Sequence, residues 1–280
     1  MCSTAMALPQ LIRSAIPVDI RLPGTHRSVH TLRPVTATEL AIILSAVVLG
    51  STVKAVTGMG LPLIAVPVAA LFVDLTDAIV VIAFPNVLAN LILAAREWDS
   101  RAETRDLPIL AGCGVVGAVL GTVLLVSVSE TPLLVLLVAS IFGYIAIFLL
   151  NPDLRVTAQH SRIWSPVVGG VAGAFQGAIG ISGPIVGSWV HSFRLERSPY
   201  IFSITTLFFL TGATQLAVLL GAGELSGRVT ASLLACIPVL ASIPLGTWLR
   251  GHISARGFDY AVLTLLGVSG LALVMRIAVG

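Results

Sequence analysis

The residue type best suited to chemistry in this chain of 280 residues is a lysine within an apolar segment. Lys54 is the single lysine of the chain and precedes a glycine-rich break by about one helical turn. A charge at the middle of a bilayer costs about 2.5–3.5 kcal/mol on insertion scales, so such a residue is typical of a functional site. One interpretation is that its ammonium reaches the far membrane interface as an anchor. The nearby glycine-rich break favours a second interpretation, in which Lys54 supplies positive charge to a bound anion.

Two breaks rich in glycine and proline interrupt the apolar sequence at equivalent places. They read Thr57-Gly58-Met59-Gly60-Leu61-Pro62 and Ile179-Gly180-Ile181-Ser182-Gly183-Pro184. A helix that restarts after such a break has unbonded N–H groups and about half a positive charge at its N-terminus. Two such ends facing each other would form a cradle for an anion. The alternative is that these glycines and prolines only allow close packing between membrane helices.

Polar residues inside other apolar segments are further candidates for the same site. Asn86 and Asn90 share a helix face, and both a cavity-lining role and a helix-bonding role are open for them. The matching segment of the second half offers hydroxyls such as Thr206, which can instead bond to their own backbone, and Gln215. The candidate substrate-binding residues are Lys54, Thr57, Gly58, Met59, Gly60, Pro62, Asn86, Asn90, Gln176, Gly180, Ser182, Gly183, Pro184 and Thr206.

The composition defines the elements that must position these residues. The chain is 56% hydrophobic and 10% charged, with a mean hydropathy of +1.02, whereas a soluble domain is about 25% charged. A membrane span needs about 20 apolar residues, and the apolar runs are continuous rather than alternating as in a β-barrel. We predict an all-α polytopic membrane protein with about eight full transmembrane helices plus two short broken or re-entrant segments.

An internal repeat organises these segments in the order long, short, long, long, long, twice. A shift of 122 positions superposes Lys54 on Gln176 and Gly58 on Gly180, and a shift of 125 superposes Leu120 on Leu245. The predicted domains are a polar N-terminal tail over residues 1–37, a first transmembrane repeat over 38–150, a cytoplasmic linker over 151–164 and a second repeat over 165–280.

The arginines of the loops indicate the orientation of the two repeats. If each long-short pair returns as a hairpin or crosses twice, the repeats are inverted and most loop arginines lie on one side, which is then cytoplasmic. These arginines are 96, 101, 105, 155, 162, 194, 197, 250 and 256. If only the long segment crosses, the repeats are parallel and the arginines segregate less cleanly. We expect inverted repeats.

Several absences narrow the function. No Asp or Glu lies in the middle of an apolar segment, so a substrate cation is disfavoured. Phosphate-binding loops, zinc-protease motifs and nucleophile elbows are missing from the sequence, and the three cysteines lack metal-ligand spacing. We therefore expect no enzymatic activity, no cofactor, no metal site and no nucleic-acid partner. The expected partners are the lipid bilayer and a small anionic substrate, and the sequence leaves open whether two copies form a homodimer.

The paired stretches "GSTVKAVTGMGLPLIAVPV" and "GGVAGAFQGAIGISGPIVGSWV", with "LGTVL" and "LGTWL" later in each half, resemble the sulfite exporter TauE/SafE family over about residues 38–279. The resemblance implies a permease of the bacterial inner membrane that exports sulfite or organosulfonates. It also implies that the glycines and prolines of the breaks form binding loops, although Ser182 stands where many relatives carry glycine. Lys54 is not a residue that the family pattern assigns. A permease for carboxylates and an anion channel are the alternatives.

Overall fold

The computed structural model describes residues 35–57, 60–150, 156–250 and 255–279, which contain ten α-helices, one short 3-10 helix (Trp98–Glu103) and no strand. The helices are α1 (Ala37–Thr57), α2 (Leu61–Ala69), α3 (Leu75–Arg96), α4 (Leu107–Ser127), α5 (Glu130–Leu150), α6 (Ala158–Ile179), α7 (Gly183–His191), α8 (Arg197–Gly221), α9 (Val229–Arg250) and α10 (Ala255–Val279). Helices α2 and α7 have nine residues each, and the other helices have 21 to 25. We call α1–α5 the first half and α6–α10 the second half, so the short helix is the second helix of each half.

Within the described part of the chain, six helices are long and apolar enough to cross a membrane, and a shorter apolar helix covers Val229–Ser242. These six spans are Ala37–Ala55, Leu75–Arg96, Leu107–Ser127, Glu130–Leu150, Arg197–Gly221 and Tyr260–Val279. The structure therefore agrees with an all-α membrane protein, while the expected number of eight full spans remains a prediction.

Helix α6 begins at Ala158, earlier than the apolar segment that the sequence places at 165. Its first residues, Ala158 to Arg162, are mostly polar, so hydropathy alone does not reveal the start of the helix. The side chain of Thr157 accepts a hydrogen bond from the amide of His160 and caps the helix. Such a cap satisfies one of the amide groups that an N-terminus leaves unpaired.

Each short helix runs back along the long helix that precedes it. At Gly50 of α1 there is no room for a side chain, because Leu61 and Ala65 of α2 lie against it. In the second half the amide of Val156 donates to the carbonyl of Ser192 over 3.4 Å, so the end of α7 lies beside the start of α6. We call the α1–α2 pair hairpin 1 and the α6–α7 pair hairpin 2. The described residues at the tip are Gly60 in hairpin 1 and Gly180 to Gly183 in hairpin 2.

The two halves pack against each other reciprocally. Helix α1 packs on α9 and α6 packs on α4, so the first helix of each half lies against the fourth helix of the other half. The third helices, α3 and α8, pack together, as do the fifth helices, α5 and α10. Both hairpin tips therefore lie between helices of both halves.

Polar contacts fasten the base of each hairpin. Near the base of hairpin 1, Arg276 of α10 donates to the carbonyls of Ala70 and Val73 and pairs with Glu130 over 3.0 Å. Near the base of hairpin 2, Arg105 donates to the hydroxyl of Ser161 over 2.7 Å. The two clusters lie at opposite ends of α4, since Arg105 precedes this helix and Glu130 follows it.

Candidate functional site

Glycines with left-handed backbone conformations form the described parts of the two tips. Gly60 has φ 113° at the start of α2, and Gly180 has φ 73° at the end of α6. A side chain is strained in this region of backbone space, so glycine is required at both turns. Gly58, Met59 and the side chain of Thr57 lie outside the described residues.

Both tips border one small cavity, which eight of the predicted site residues line. Its lining residues are Lys54, Gly60, Pro62, Leu63, Asn86, Gln176, Gly180, Ile181, Ser182, Gly183 and Phe208. An adjoining cavity shares Pro62, Asn86, Gln176 and Gly180 and also contacts Gln215. Residues that lie far apart in the sequence are thus brought to one place by the two hairpins.

Lys54 lies at the wall of this cavity with 4% of its surface exposed. Its Nζ donates to Oδ1 of Asn90 over 2.7 Å and lies 5.8 Å from the centroid of the Phe208 ring. No carboxylate of the described residues forms an ion pair with it. Lys54 therefore brings a buried positive charge that no carboxylate of the described residues pairs.

Two asparagines extend this contact along α3. Nδ2 of Asn90 donates to the backbone carbonyl of Asn86 over 2.8 Å and to its Oδ1 over 3.0 Å. Because Lys54 occupies the oxygen of Asn90, the Asn90 amide has its nitrogen toward Asn86. Oδ1 of Asn86 therefore accepts the hydrogen bond from Asn90, and Nδ2 of Asn86 has no acceptor among the described residues. Asn86 lines the cavity, so it offers a hydrogen-bond donor there.

The second half contributes a neutral network at the corresponding position. The Ser182 hydroxyl donates to Oε1 of Gln176 over 3.0 Å, and Nε2 of Gln176 donates to Oε1 of Gln215 over 3.3 Å. Nε2 of Gln215 in turn donates to the backbone carbonyls of Gln176 and Gly177 over 2.9 and 3.1 Å. These buried amides mostly satisfy one another, as buried polar groups generally do.

Comparison of the chain with protein-family models gives a match. A family model described as "Sulfite exporter TauE/SafE" matches residues 42–273. The chain belongs to the TauE/SafE family. The resemblance that the sequence motifs indicate is thereby confirmed, and the protein is a multi-pass membrane protein of a transporter family. Neither the curated proteins nor the solved structures that were compared with the chain gave a match.

In this TauE/SafE protein the start of α7 offers unpaired backbone donors to the cavity. The amides of Ser182 and Gly183 donate to no acceptor within the described part of the chain, whereas those of Ile185 and Val186 bond to the Ser182 carbonyl. A Cβ added to Gly183 would meet no atom within 4 Å, so its backbone borders open space. An N-terminus of this kind favours a negative charge.

Three predicted site residues do not line the cavity. Asn90 lies behind Lys54, Pro184 is buried in the first turn of α7, and Thr206 has a buried hydroxyl without a partner in the described region. Within the described residues no group of three or more His, Cys, Asp or Glu side chains could hold a metal ion.

Sequence reasoning missed the apolar part of the cavity wall. Leu63, Ile181 and Phe208 line the cavity, but apolar side chains are common in membrane helices and carry no signal of their own. Gln215 had a detectable signal, because it is a polar residue in an apolar segment. Its place beside Gln176 follows only from the packing of α8 against hairpin 2.

Proposed function

We propose that this TauE/SafE protein is a secondary transporter that exports small sulfur-containing anions, such as sulfite or organosulfonates, and binds them between the two hairpin tips. The observation that carries the proposal is the arrangement around the cavity. A buried ammonium, a free side-chain amide and unpaired backbone amides converge there from both halves of the chain, without a carboxylate among the described lining residues. We assign the protein no catalytic activity and no cofactor.

The chemistry of an –SO₃ group matches these donors. Its three oxygens would accept hydrogen bonds from Nζ of Lys54, from Nδ2 of Asn86 and from the backbone amide of Gly183. Hydrogen bonds that involve an ionised group are about twice as strong as neutral ones. They gain further strength in a site from which water is largely excluded. The glycine at position 183 leaves the backbone accessible to the substrate.

Alternating access follows from an inverted arrangement of the halves, which the polar contacts support. Hairpin 1 starts and returns at the end where Arg276 bonds to Ala70, and hairpin 2 starts and returns at the end where Arg105 bonds to Ser161. Three long helices follow each hairpin, so the halves run in opposite directions through the membrane. Inverted repeats with broken helices at the midplane are a common design of secondary transporters.

The charge of the loops sets the orientation in a bacterial inner membrane. The loops at the end of hairpin 2 carry Arg101, Arg105, Arg162 and Arg194, so this end faces the cytoplasm by the positive-inside rule. The end of hairpin 1 faces the periplasm. Substrate would enter from the cytoplasm beside hairpin 2 and leave beside hairpin 1.

Transport by reconstituted protein tests the proposal. Liposomes that contain the full chain and are preloaded with sulfite or methanesulfonate should take up the labelled anion by saturable counterflow. Lys54→Met should abolish this uptake, while Arg101→Met, which removes an exposed cation outside the cavity, should preserve it. Uptake of carboxylates alone would assign another substrate class, non-saturable flux without counterflow would identify a channel, and undiminished uptake by Lys54→Met would refute the binding site.

A further inference from the structure

The cavity between the hairpin tips contains a single formal charge among its described lining residues. Lys54 provides this charge, and the other polar side chains are the amides of Asn86 and Gln176 and the hydroxyl of Ser182. The nearest counterpart to Lys54 in the second half is Gln176, which bonds to an amide on the third helix of its own half just as Lys54 does. The repeat therefore offers two equivalent positions for a cation, and this chain uses one.

The surroundings of Lys54 compensate a second negative charge only in part, because the start of α7 adds a partial positive charge and no second formal one. Burying a charge without a partner is costly, and neutral donors offset it only in part. In the second half, Nε2 of Gln215 already donates hydrogen bonds to two backbone carbonyls. The side chains of Leu63, Ile181 and Phe208 make the remainder of the wall apolar.

Resting on the proposed function of this cavity, we propose that the site selects singly charged anions over doubly charged ones, with Lys54 and Gln176 together setting the charge that is accepted. The preferred substrate class is a monoanion with an –SO₃ group and a small apolar substituent, or the hydrogensulfite form of sulfite. The charged oxygens would face Lys54 and the start of α7, and the apolar substituent would contact Phe208.

Binding of two anions of similar size tests this selectivity. We would measure methanesulfonate, a monoanion, and sulfate, a dianion, by calorimetric titration of the purified full chain in detergent at constant ionic strength. Methanesulfonate should bind at least about tenfold more tightly than sulfate. Hydrogensulfite and sulfite exchange with pH, so the apparent affinity for total sulfite should rise as pH falls. Methanesulfonate, whose charge is constant, serves as the control for titration of the protein.

A charge-gain variant tests the role of the second position. Gln176→Lys should shift the ratio of the two affinities toward sulfate by about tenfold or more, whereas the uncharged Gln176→Met should leave the ratio unchanged. Folding of each variant is checked by size-exclusion chromatography, and the wild-type comparison stands if Gln176→Lys does not fold.

The outcomes separate this inference from the function on which it rests. Equal affinity of the wild-type protein for sulfate and methanesulfonate would overturn the charge selectivity while leaving an anion transporter in place. An unchanged affinity ratio in a folded Gln176→Lys protein would overturn the role of that position. Absence of binding and of transport for every anion would refute the proposed function itself, and the selectivity with it.

Discussion

The two hairpins share a backbone design and differ in chemistry. In each hairpin the side chain one turn before the break bonds to an amide on the third helix of the same half, Lys54 to Asn90 and Gln176 to Gln215. Hairpin 1 thereby brings a charge to the cavity, and hairpin 2 brings a neutral network. The two hairpins thus have matching geometry, and the difference between Lys54 and Gln176 makes the cavity electrostatically asymmetric.

The hairpins also differ in how they are held. Helix α6 packs on α4 through glycines, and a Cβ at Gly117 or Gly173 would collide with the backbone of the facing helix. At the corresponding interface, the described contacts of α1 with α9 include the Ser51 hydroxyl, which donates to the carbonyl of Pro238 over 3.5 Å. Small residues allow backbones to approach closely in membranes. Hairpin 2 is therefore held through close backbone contact between α6 and α4.

The largest effect is expected at the glycine contacts of hairpin 2. Gly117→Leu should prevent folding, because its side chain would need the space that the backbones of Gly170 and Ala174 occupy, and a different rotamer cannot relieve an overlap with backbone atoms in a closely packed interface. The measurement is the yield of monodisperse protein in size-exclusion chromatography. Gly112→Leu on the same helix is the control, since a Cβ there meets no atom within 4 Å. Equal yields for both variants would show that α4 and α6 are not in close contact.

The next largest effect is expected when a carboxylate is introduced into the Gln176–Gln215 network, and a much smaller one when it is introduced beside Lys54. Gln215→Glu should lower the free energy of unfolding by about 3–5 kcal/mol, because the new charge would face the Gln176 and Gly177 carbonyls without a cation. Asn90→Asp should cost far less, since Lys54 would pair with the carboxylate. Thermal unfolding in detergent gives both values. Equal losses of stability would contradict the assignment of the charge to hairpin 1.

Removal of the polar group one turn before each break should affect transport unequally. Lys54→Gln should lower kcat/KM for the substrate anion by up to about 100-fold, because a hydrogen bond to a charged group contributes about 1.5–3 kcal/mol. Gln176→Met should lower it by about tenfold or less, since only a neutral donor is removed. Initial rates of counterflow in liposomes measure both. A greater loss for Gln176→Met would reverse the roles that we assign to the two hairpins.

The smallest effect concerns the turn of hairpin 2. Gly180→Ala should lower the free energy of unfolding by about 1 kcal/mol, because φ at this position is positive and a side chain is strained there. Gly183→Ala should leave stability unchanged and weaken anion binding a few-fold, since its methyl group would enter open space in the cavity. Chemical unfolding and anion titration distinguish the two. Loss of stability without loss of affinity in Gly183→Ala would remove this residue from the site.

Much of this arrangement could be predicted from sequence, because its key residues are unusual where they occur. A lysine, two asparagines and a glutamine stand out within apolar segments, and the two breaks punctuate the repeat. The start of α6 could not be placed by hydropathy, since Ala158 to Arg162 are mostly polar and the helix start is capped by Thr157. Phe208 was not predictable either, because only the packing of α8 brings this ordinary aromatic residue to Lys54.

The contact of Arg276 with hairpin 1 has a consequence for biosynthesis. The guanidinium donates to the carbonyl of Ala70, and 206 positions separate the two residues in the chain. Hairpin 1 leaves the ribosome among the first apolar segments, yet this bond cannot form until the last helix has been made. Hairpin 1 therefore lacks this contact until α10 has been made, and a chain that ends before α10 never forms it.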